Sequence, residues 1–378
     1  MRHLYIHVPF CARRCVYCDF AIAVRKRIPA HRYVRAVLRE YECRSSRESW
    51  DDKPLETLYL GGGTPSLLPP NHVAELVCFL RDSEQGSTPV TDHEITLEAN
   101  PNDVTPVAAA AWARAGVNRV SLGVQSFHAA VLKWMHRTHE ADASGRAVRL
   151  LRDAGIRSVS LDLIFALPEE LHHSVRNDLL RALELEPDHL SVYGLTVEPR
   201  TPLARWVSRG ASCPPGDARF EDEFLLADEV LTTAGFEHYE VSNYARPNHH
   251  SKHNTAYWRR RPYVGLGPSA HSFGNGERSW NLDQWVAYQQ AVAVNGDPTA
   301  ARERLAMVQR RLEELYLGLR TTEGVPVNRF ATWPTPLGQA AAQRGWLRVS
   351  DQRVRLTPLG WLRLDSIVQF LTTCDEGG

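Results

Sequence analysis

Over its first two hundred residues the chain repeats one unit, a short apolar run followed by a longer stretch with helical spacing. "LYIHV" (4–8) precedes "AHRYVRAVLREYE" (30–42), and "ETLYLGGG" (56–63) precedes "NHVAELVCFLRD" (71–82). "EITLEANP" (94–101) leads to "PVAAAAWARAG" (106–116), and "NRVSLGVQ" (118–125) to "EADASGRAVRLLRDAG" (140–155). "SVSLDLIFALP" (158–168) leads to "SVRNDLLRALELE" (174–186), and "HLSVYGLT" (189–196) reads as a sixth strand. Parallel neighbours need a long crossover where antiparallel ones need only a tight turn, so this alternation predicts a parallel sheet. The runs are close to continuously apolar, which predicts burial of both faces. Six units fit an α/β fold of the incomplete (β/α) TIM-like barrel type, with its chemistry on loops at the C-terminal ends of the strands. A flat, doubly wound sheet satisfies the same periodicity.

Beyond residue 200 the rhythm loosens. A helix over 218–234 is followed by a segment dense in His, Tyr and Asn, and "NGDPTAARE" (295–303) reads as a linker. The tail predicts helices over 307–319 and near 336–344, a hairpin over 347–356 and a last helix in "LGWLRLDSIVQFL". The division expected is a barrel over 1–295 and a small helical, winged-helix-like domain over 303–378. Lysine plus arginine (44) equals aspartate plus glutamate (44), so no bulk field draws the chain to nucleic acid, and the tail is read as a packing module. "MRHLYIHVPF" is too short and polar for a signal peptide, and no apolar run approaches the roughly 20 residues of a membrane-spanning helix. A cytoplasmic protein is expected.

Seven cysteines in a reducing compartment are not a disulfide framework. Cys43, Cys78, Cys213 and Cys374 are isolated in sequence and read as small buried hydrophobes or idle thiols. Cys11, Cys15 and Cys18 instead share "CARRCVYCDF", which ends in Phe20. Four thiols would close a structural zinc site or a conventional iron–sulfur site. Three leave one iron of a cubane without a protein ligand, a position a small molecule can take. The plainer alternatives are a chance triplet or a zinc site that borrows a distant histidine. Glu98, Gln125 and Asp162 each fall at or near the end of a predicted strand, and "GGGTPS" (61–66) follows the second strand where a ligand can lie against bare backbone.

C-x3-C-x2-C after a first strand, with a glycine turn after the second, resembles the radical S-adenosylmethionine (SAM) superfamily. That resemblance implies a [4Fe-4S] cluster on the three cysteines, SAM on its open iron, and reductive cleavage of SAM to a 5′-deoxyadenosyl radical. "YIHVPFC", "YCDF", "GGGTP", "SLGVQSF", "MHRTH" and "DLIFALP", with the C-terminal module, are similar to the coproporphyrinogen oxidase-like group within it. On the family's pattern the SAM contacts fall on Tyr5, Tyr17, Gly62, Gly63, Thr64, Glu98, Gln125, Arg137 and Asp162. "LPEE" stands where the family often has a glycine after the proline.

The group contains an oxygen-independent oxidase branch (HemN) and a haem-chaperone branch (HemW). The oxidase carries a further cysteine where this chain has Phe20, and a longer segment before its first strand. The chaperone carries H-N-x-x-Y-W, which stands here as "HNTAYW". His253 is the implied iron ligand, with Asn254, Tyr257 and Trp258 beside the porphyrin; the bland alternative is a polar loop with a hydrogen-bonded histidine. "GLGPSAHS" (265–272) is too weak a match to a dinucleotide loop to carry a site. The resemblance therefore implies a haem chaperone that binds haem, SAM and a [4Fe-4S] cluster and serves respiratory apoproteins. The alternative it leaves is coproporphyrinogen III oxidase. Peripheral membrane contact and a homodimer stay open.

Overall fold

The computed structural model describes residues 2–47, 54–83, 93–330 and 336–373. Nine strands form its main sheet: β1 (His3–Val8), β2 (Thr57–Gly62), β3 (Glu94–Ala99), β4 (Arg119–Gln125), β5 (Ser158–Phe165), β6 (His189–Gly194), β7 (Glu237–Glu240), β8 (Asn243–Ala245) and β9 (Val264–Leu266). Their order is β9-β1-β2-β3-β4-β5-β6-β8-β7, and β1 to β6 run parallel. The helices between them are α1 (Ala30–Arg47), α2 (Pro70–Ser83), α3 (Pro106–Ala115), α4 (Ala129–Trp134), α5 (Ala141–Asp153), α6 (Val175–Leu183), α7 (Pro202–Ser208) and α8 (Asp217–Thr233).

The strand order decides between the two sheet architectures. Right-handed crossovers that always step to the next strand in the same direction place every helix on one face. Accordingly α1 packs on α2, α2 on α3, α3 on α5 and α6 on α8, and the sheet curls around its uncovered face. A doubly wound sheet would have to reverse its order. The sheet ends at β9 and β7 without closing, so the barrel is incomplete.

Burial of both faces hides a strict alternation. Leu4, Ile6, Leu58, Leu60, Leu97, Val120, Leu122, Val159, Leu161 and Leu190 are fully or almost fully buried beneath the helices. The intervening positions point inward and are mostly polar: Tyr59 stands beside Thr96, Glu98 beside Ser121, Ser121 beside Ser160, and Asp162 beside Ser191. Neighbours in register share a face. The inner wall is thus a polar stripe inside an apolar shell, and burying a Leu or Val of that shell contributes about 1.5–3 kcal/mol.

The second half extends the sheet at both edges. α9 (Lys252–Trp258) leads to β9, which pairs parallel with β1. A three-stranded sheet follows, β10 (His271–Gly274), β11 (Glu277–Asn281) and β12 (Thr299–Arg304), with α10 (Trp285–Asn295) between the last two. The linker expected over 295–303 is in large part β12, paired antiparallel with β11. Thr-Ala-Ala-Arg-Glu-Arg has no apolar alternation to betray a strand, because its charged residues pair across the strands, as Arg302 does with Glu277.

The C-terminal module holds α11 (Met307–Leu319), β13 (Val325–Pro326), α12 (Pro336–Gln343), the hairpin β14 (Leu347–Ser350) and β15 (Arg353–Leu356), α13 (Pro358–Trp361) and α14 (Leu364–Thr373). Trp361 ties the module together through Nε1, which donates to the Leu319 carbonyl (3.0 Å), and docks it with its ring edge-on to His238 (4.5 Å). Arg320 pairs with the fully buried Glu240 (2.6 Å) and lies over the Trp258 ring (4.5 Å).

Candidate functional site

A cavity of about 680 Å³ opens at the C-terminal ends of the strands. Cys11, Cys15 and Cys18 line it together with Tyr17, Gly62, Gly63, Thr64, Glu98, Gln125, Arg137 and Asp162. Tyr5 lies one layer lower, its ring 6.0 Å from that of Tyr59.

The cysteine loop is shaped by backbone pairing. Phe10–Cys11 runs parallel to Ala23–Val24, the Ala23 N–H donates to the Pro9 carbonyl (2.7 Å), and the Arg25 N–H to that of Cys11 (3.0 Å). His7, which the sequence did not single out, braces the loop from below through Nε2 and the Ala21 carbonyl (3.0 Å). Two glycines of the following turn are obligatory. Gly62 has φ +109°, and a Cβ there would meet the His7 ring at 2.6 Å; a Cβ on Gly63 would meet the Phe10 carbonyl oxygen at 2.8 Å and Cys11 Sγ at 3.0 Å.

Burial pushes the Cys11 thiol up to about 11 and raises that of Cys18, so both are neutral thiols when nothing cationic is bound. Among the described residues no three His, Cys, Asp or Glu side chains converge as one metal ion would require. Three thiols spread around a common space suit a polynuclear cluster, in which each thiolate takes its own iron.

Arg137 crosses the cavity floor. Its Nη2 donates to the Gly123 carbonyl (2.6 Å) and to Asn100 Oδ1 (3.2 Å), and its Nη1 reaches Cys15 Sγ (3.7 Å). Its Nε is buried and, among the described residues, has no hydrogen-bond partner. An orphaned donor on a buried cation is costly unless an acceptor completes it, which fits an anionic ligand. Asn100 is held by His139 Nδ1 (3.0 Å) and Thr138 (2.9 Å). Burial and the Arg137 charge keep His139 neutral, its pKa near 4.

Glu98 accepts from the Tyr59 hydroxyl (2.8 Å) and the Gly62 N–H (3.0 Å), and Asp162 accepts from the Ser121 hydroxyl (2.9 Å). Burial pushes Glu98 up to about 7 and Asp162 up to about 6, and the Asp162 charge raises Glu98 further by repulsion. A raised carboxyl pKa contributes stability that is complete below the unfolded value and is lost as pH rises through the folded one. The expected loss for cluster-free protein is about 3 kcal/mol from Glu98 between its ordinary value and pH 7. Urea melts at pH 5 and pH 8 measure it: Glu98→Gln should narrow the difference, and an undiminished difference would place the titration elsewhere.

The haem residues expected from "HNTAYW" lie elsewhere. They form α9, whose N-terminus is capped by Ser251 and by the Glu94 carboxylate, which accepts from the Lys252 (2.8 Å) and His253 (2.9 Å) N–H groups. Glu94 and Thr57 begin their strands, so α9 plugs the end of the barrel opposite the cysteines. His253 is 1% exposed, joined to Thr57 Oγ1 (2.7 Å) and to the Tyr257 hydroxyl (2.8 Å), and stacked on Tyr59 (5.0 Å). Both its ring nitrogens are engaged, and burial holds its pKa near 3. Trp258 points outward, away from His253 and Tyr257, into a second cavity. Asn254 is half-buried on α9. His7, Asn100 and His139 lie inside "YIHVPFC", "EITLEANP" and "MHRTH", yet none was singled out, because each acts on a neighbour.

Residues 5–182 match the model of the radical SAM superfamily, and residues 308–363 that of the HemN C-terminal domain. The chain is 38% identical over 338 residues to the heme chaperone HemW of Synechocystis, covering 85% of this chain and 78% of that one. With the heme chaperone HemW of Mycobacterium tuberculosis it shares 34% over 371 residues, 97% of this chain and 94% of that one. The solved coproporphyrinogen III oxidase HemN of Escherichia coli has the same fold, with a TM-score of 0.82 and 22% identity over 98% of this chain and 90% of that one. The shared barrel and C-terminal module, with identity to HemW proteins sustained over most of both lengths, place the chain in the HemW haem-chaperone family of the radical SAM superfamily.

Proposed function

We propose that the protein is a haem carrier that holds a [4Fe-4S] cluster on Cys11, Cys15 and Cys18, binds SAM in the same cavity, and delivers haem to respiratory apoproteins in the cytoplasm. When bound, the cluster supplies an open iron and one-electron reduction. The chain's own residues do the rest. Thr64 donates toward Cys11 Sγ (3.5 Å), and the buried Arg137 offers its Nε and positive charge to a carboxylate. Glu98 on β3 and Asp162 on β5, either side of β4, offer acceptors for the ammonium or ribose of SAM at the opposite wall. Gly62 and Gly63 leave the backbone bare where the amino-acid portion would lie.

One observation carries the choice of carrier over oxidase. Phe20, 60% exposed at the cavity mouth, stands where the oxidase branch has a further cysteine. An exposed aromatic ring offers apolar contact and no redox or ligand chemistry. "HNTAYW" supports the same reading, with α9 as the element proposed to meet haem through Trp258 and, once the Tyr257 hydroxyl has moved off its ring, His253. Titrating cluster-loaded protein with hemin under anaerobic conditions should give one equivalent retained through gel filtration, with the cluster iron unchanged. Failure to retain hemin, or loss of the cluster on loading, would defeat the proposal.

A further inference from the structure

The second cavity, about 1080 Å³ and open to solvent, lies between the outer face of α9 and the C-terminal module. Its size is at the upper end of the roughly 300–1,000 Å³ typical of ligand pockets. Its lining is unlike the chain as a whole, since seven arginines and only two glutamates face it. Those glutamates are already paired, Glu323 with Arg259 and Glu314 with Arg260 (2.8 Å) and Arg329 (3.7 Å). Arg261 is exposed and, among the described residues, makes no ion pair; Arg353 is fixed by the Glu323 (2.6 Å) and Gly324 (2.8 Å) carbonyls. The excess charge is therefore not cancelled inside the groove.

Beside the arginines stands an aromatic wall. Trp258 lines the groove, and its Nε1 is buried without a partner among the described residues. His250 is stacked on Tyr239 (4.1 Å) with its side chain 40% exposed, and its Nε2 lies 2.7 Å from Glu237. Nε2 is engaged by that carboxylate, and Nδ1 has no hydrogen-bond partner among the described residues, which leaves it for a ligand. Cations around an aromatic face call for a flat apolar ligand that ends in anions.

We propose that this groove is the seat of haem, with the two propionates on Arg261 and Arg329 and the ring edge against Trp258. The proposal rests on the haem-carrying reading above and refines it, placing the cargo on the outer face of α9 and not around the engaged ring of His253. Arginine binds carboxylates with paired, charge-assisted hydrogen bonds, so blocking the carboxylates or removing the guanidinium groups weakens the complex.

The test uses the full-length, cluster-loaded protein with three probes: hemin, protoporphyrin IX and hemin dimethyl ester. Wild type should bind the ester at least tenfold more weakly than hemin, and protoporphyrin IX should keep most of the carboxylate-dependent affinity. In Arg261→Ala/Arg329→Ala, both exposed positions, hemin should bind at least tenfold more weakly and the preference over the ester should vanish. His250→Ala should shift the hemin absorption spectrum. Equal binding of hemin and its ester, or unchanged hemin binding in the arginine double variant when His253→Ala abolishes it, overturns the groove and leaves the carrier reading standing. No hemin binding by wild type overturns both.

Discussion

Replacing Cys11, Cys15 or Cys18 with alanine should remove the iron–sulfur cluster altogether, taking iron from about four per chain to none along with the visible absorption. Each is irreplaceable for a geometric reason. Cys11 is locked by backbone pairing at Phe10–Cys11 and packed against Gly63, and Cys15 is fixed beside Arg137. Cys18 is held by its N–H, which donates to the Cys15 carbonyl (3.4 Å), and by its carbonyl, which accepts from Arg14 (3.3 Å). The three share one cavity, and the remaining described cysteines are remote from it. Cys43 packs on Gly296, Cys78 lies on α2 with Sγ 4.0 Å from the Ala115 carbonyl, and Cys213 is exposed. Their alanine variants should reconstitute fully. Cys374 lies outside the described residues; its variant completes the series and is expected to behave like these three. A requirement for any of the four would contradict a cluster held by three thiols with an open iron.

Most of the barrel was legible in the sequence, because parallel strands separated by amphipathic helices leave a period in the chain. The six strands from "LYIHV" to "HLSVYGLT" appear where expected, with ends shifted by up to three residues, and the C-terminal hairpin and the helix over 307–319 coincide with β14, β15 and α11. The choice between barrel and flat sheet was not legible, since it depends on strand order. Nor was the polar inner stripe. Thr, Ser and Tyr between leucines look like part of an apolar run until register puts Glu98 beside Ser121 and Asp162 beside Ser191.

The thiols, the glycine turn and the strand-end carboxylates could be picked out because their chemistry is in the residue type. What holds them could not. Asn100 and His7 look like ordinary polar residues in sequence and gain their roles only through Arg137 and the Ala21 carbonyl. "HNTAYW" was visible as a motif, but its helical form divides it: i and i+4 place His253 and Tyr257 in the barrel while Trp258 faces the groove. The chain's zero net charge also conceals a C-terminal module with nine arginines against five carboxylates between 307 and 365, so the whole-chain balance was no guide to this surface.

The central claim is that the protein carries a finished porphyrin and does not make its precursor. The oxidase reaction removes two propionate carboxyls by hydrogen abstraction, so it must bring each propionate to the radical source in the first cavity. Phe20 presents a hydrocarbon face at that mouth, and the arginine-rich surface lies at the far side of α9, beyond the layer of Tyr59 and His253. A carboxylate drawn to those arginines is drawn away from the cluster. The direct measurement is anaerobic incubation of the cluster-loaded protein with coproporphyrinogen III, SAM and a reductant, with products analysed by chromatography. A preparation that retains one equivalent of hemin should yield no tripropionate intermediate and no protoporphyrinogen IX; conversion of coproporphyrinogen III through repeated turnovers would make the protein an oxidase.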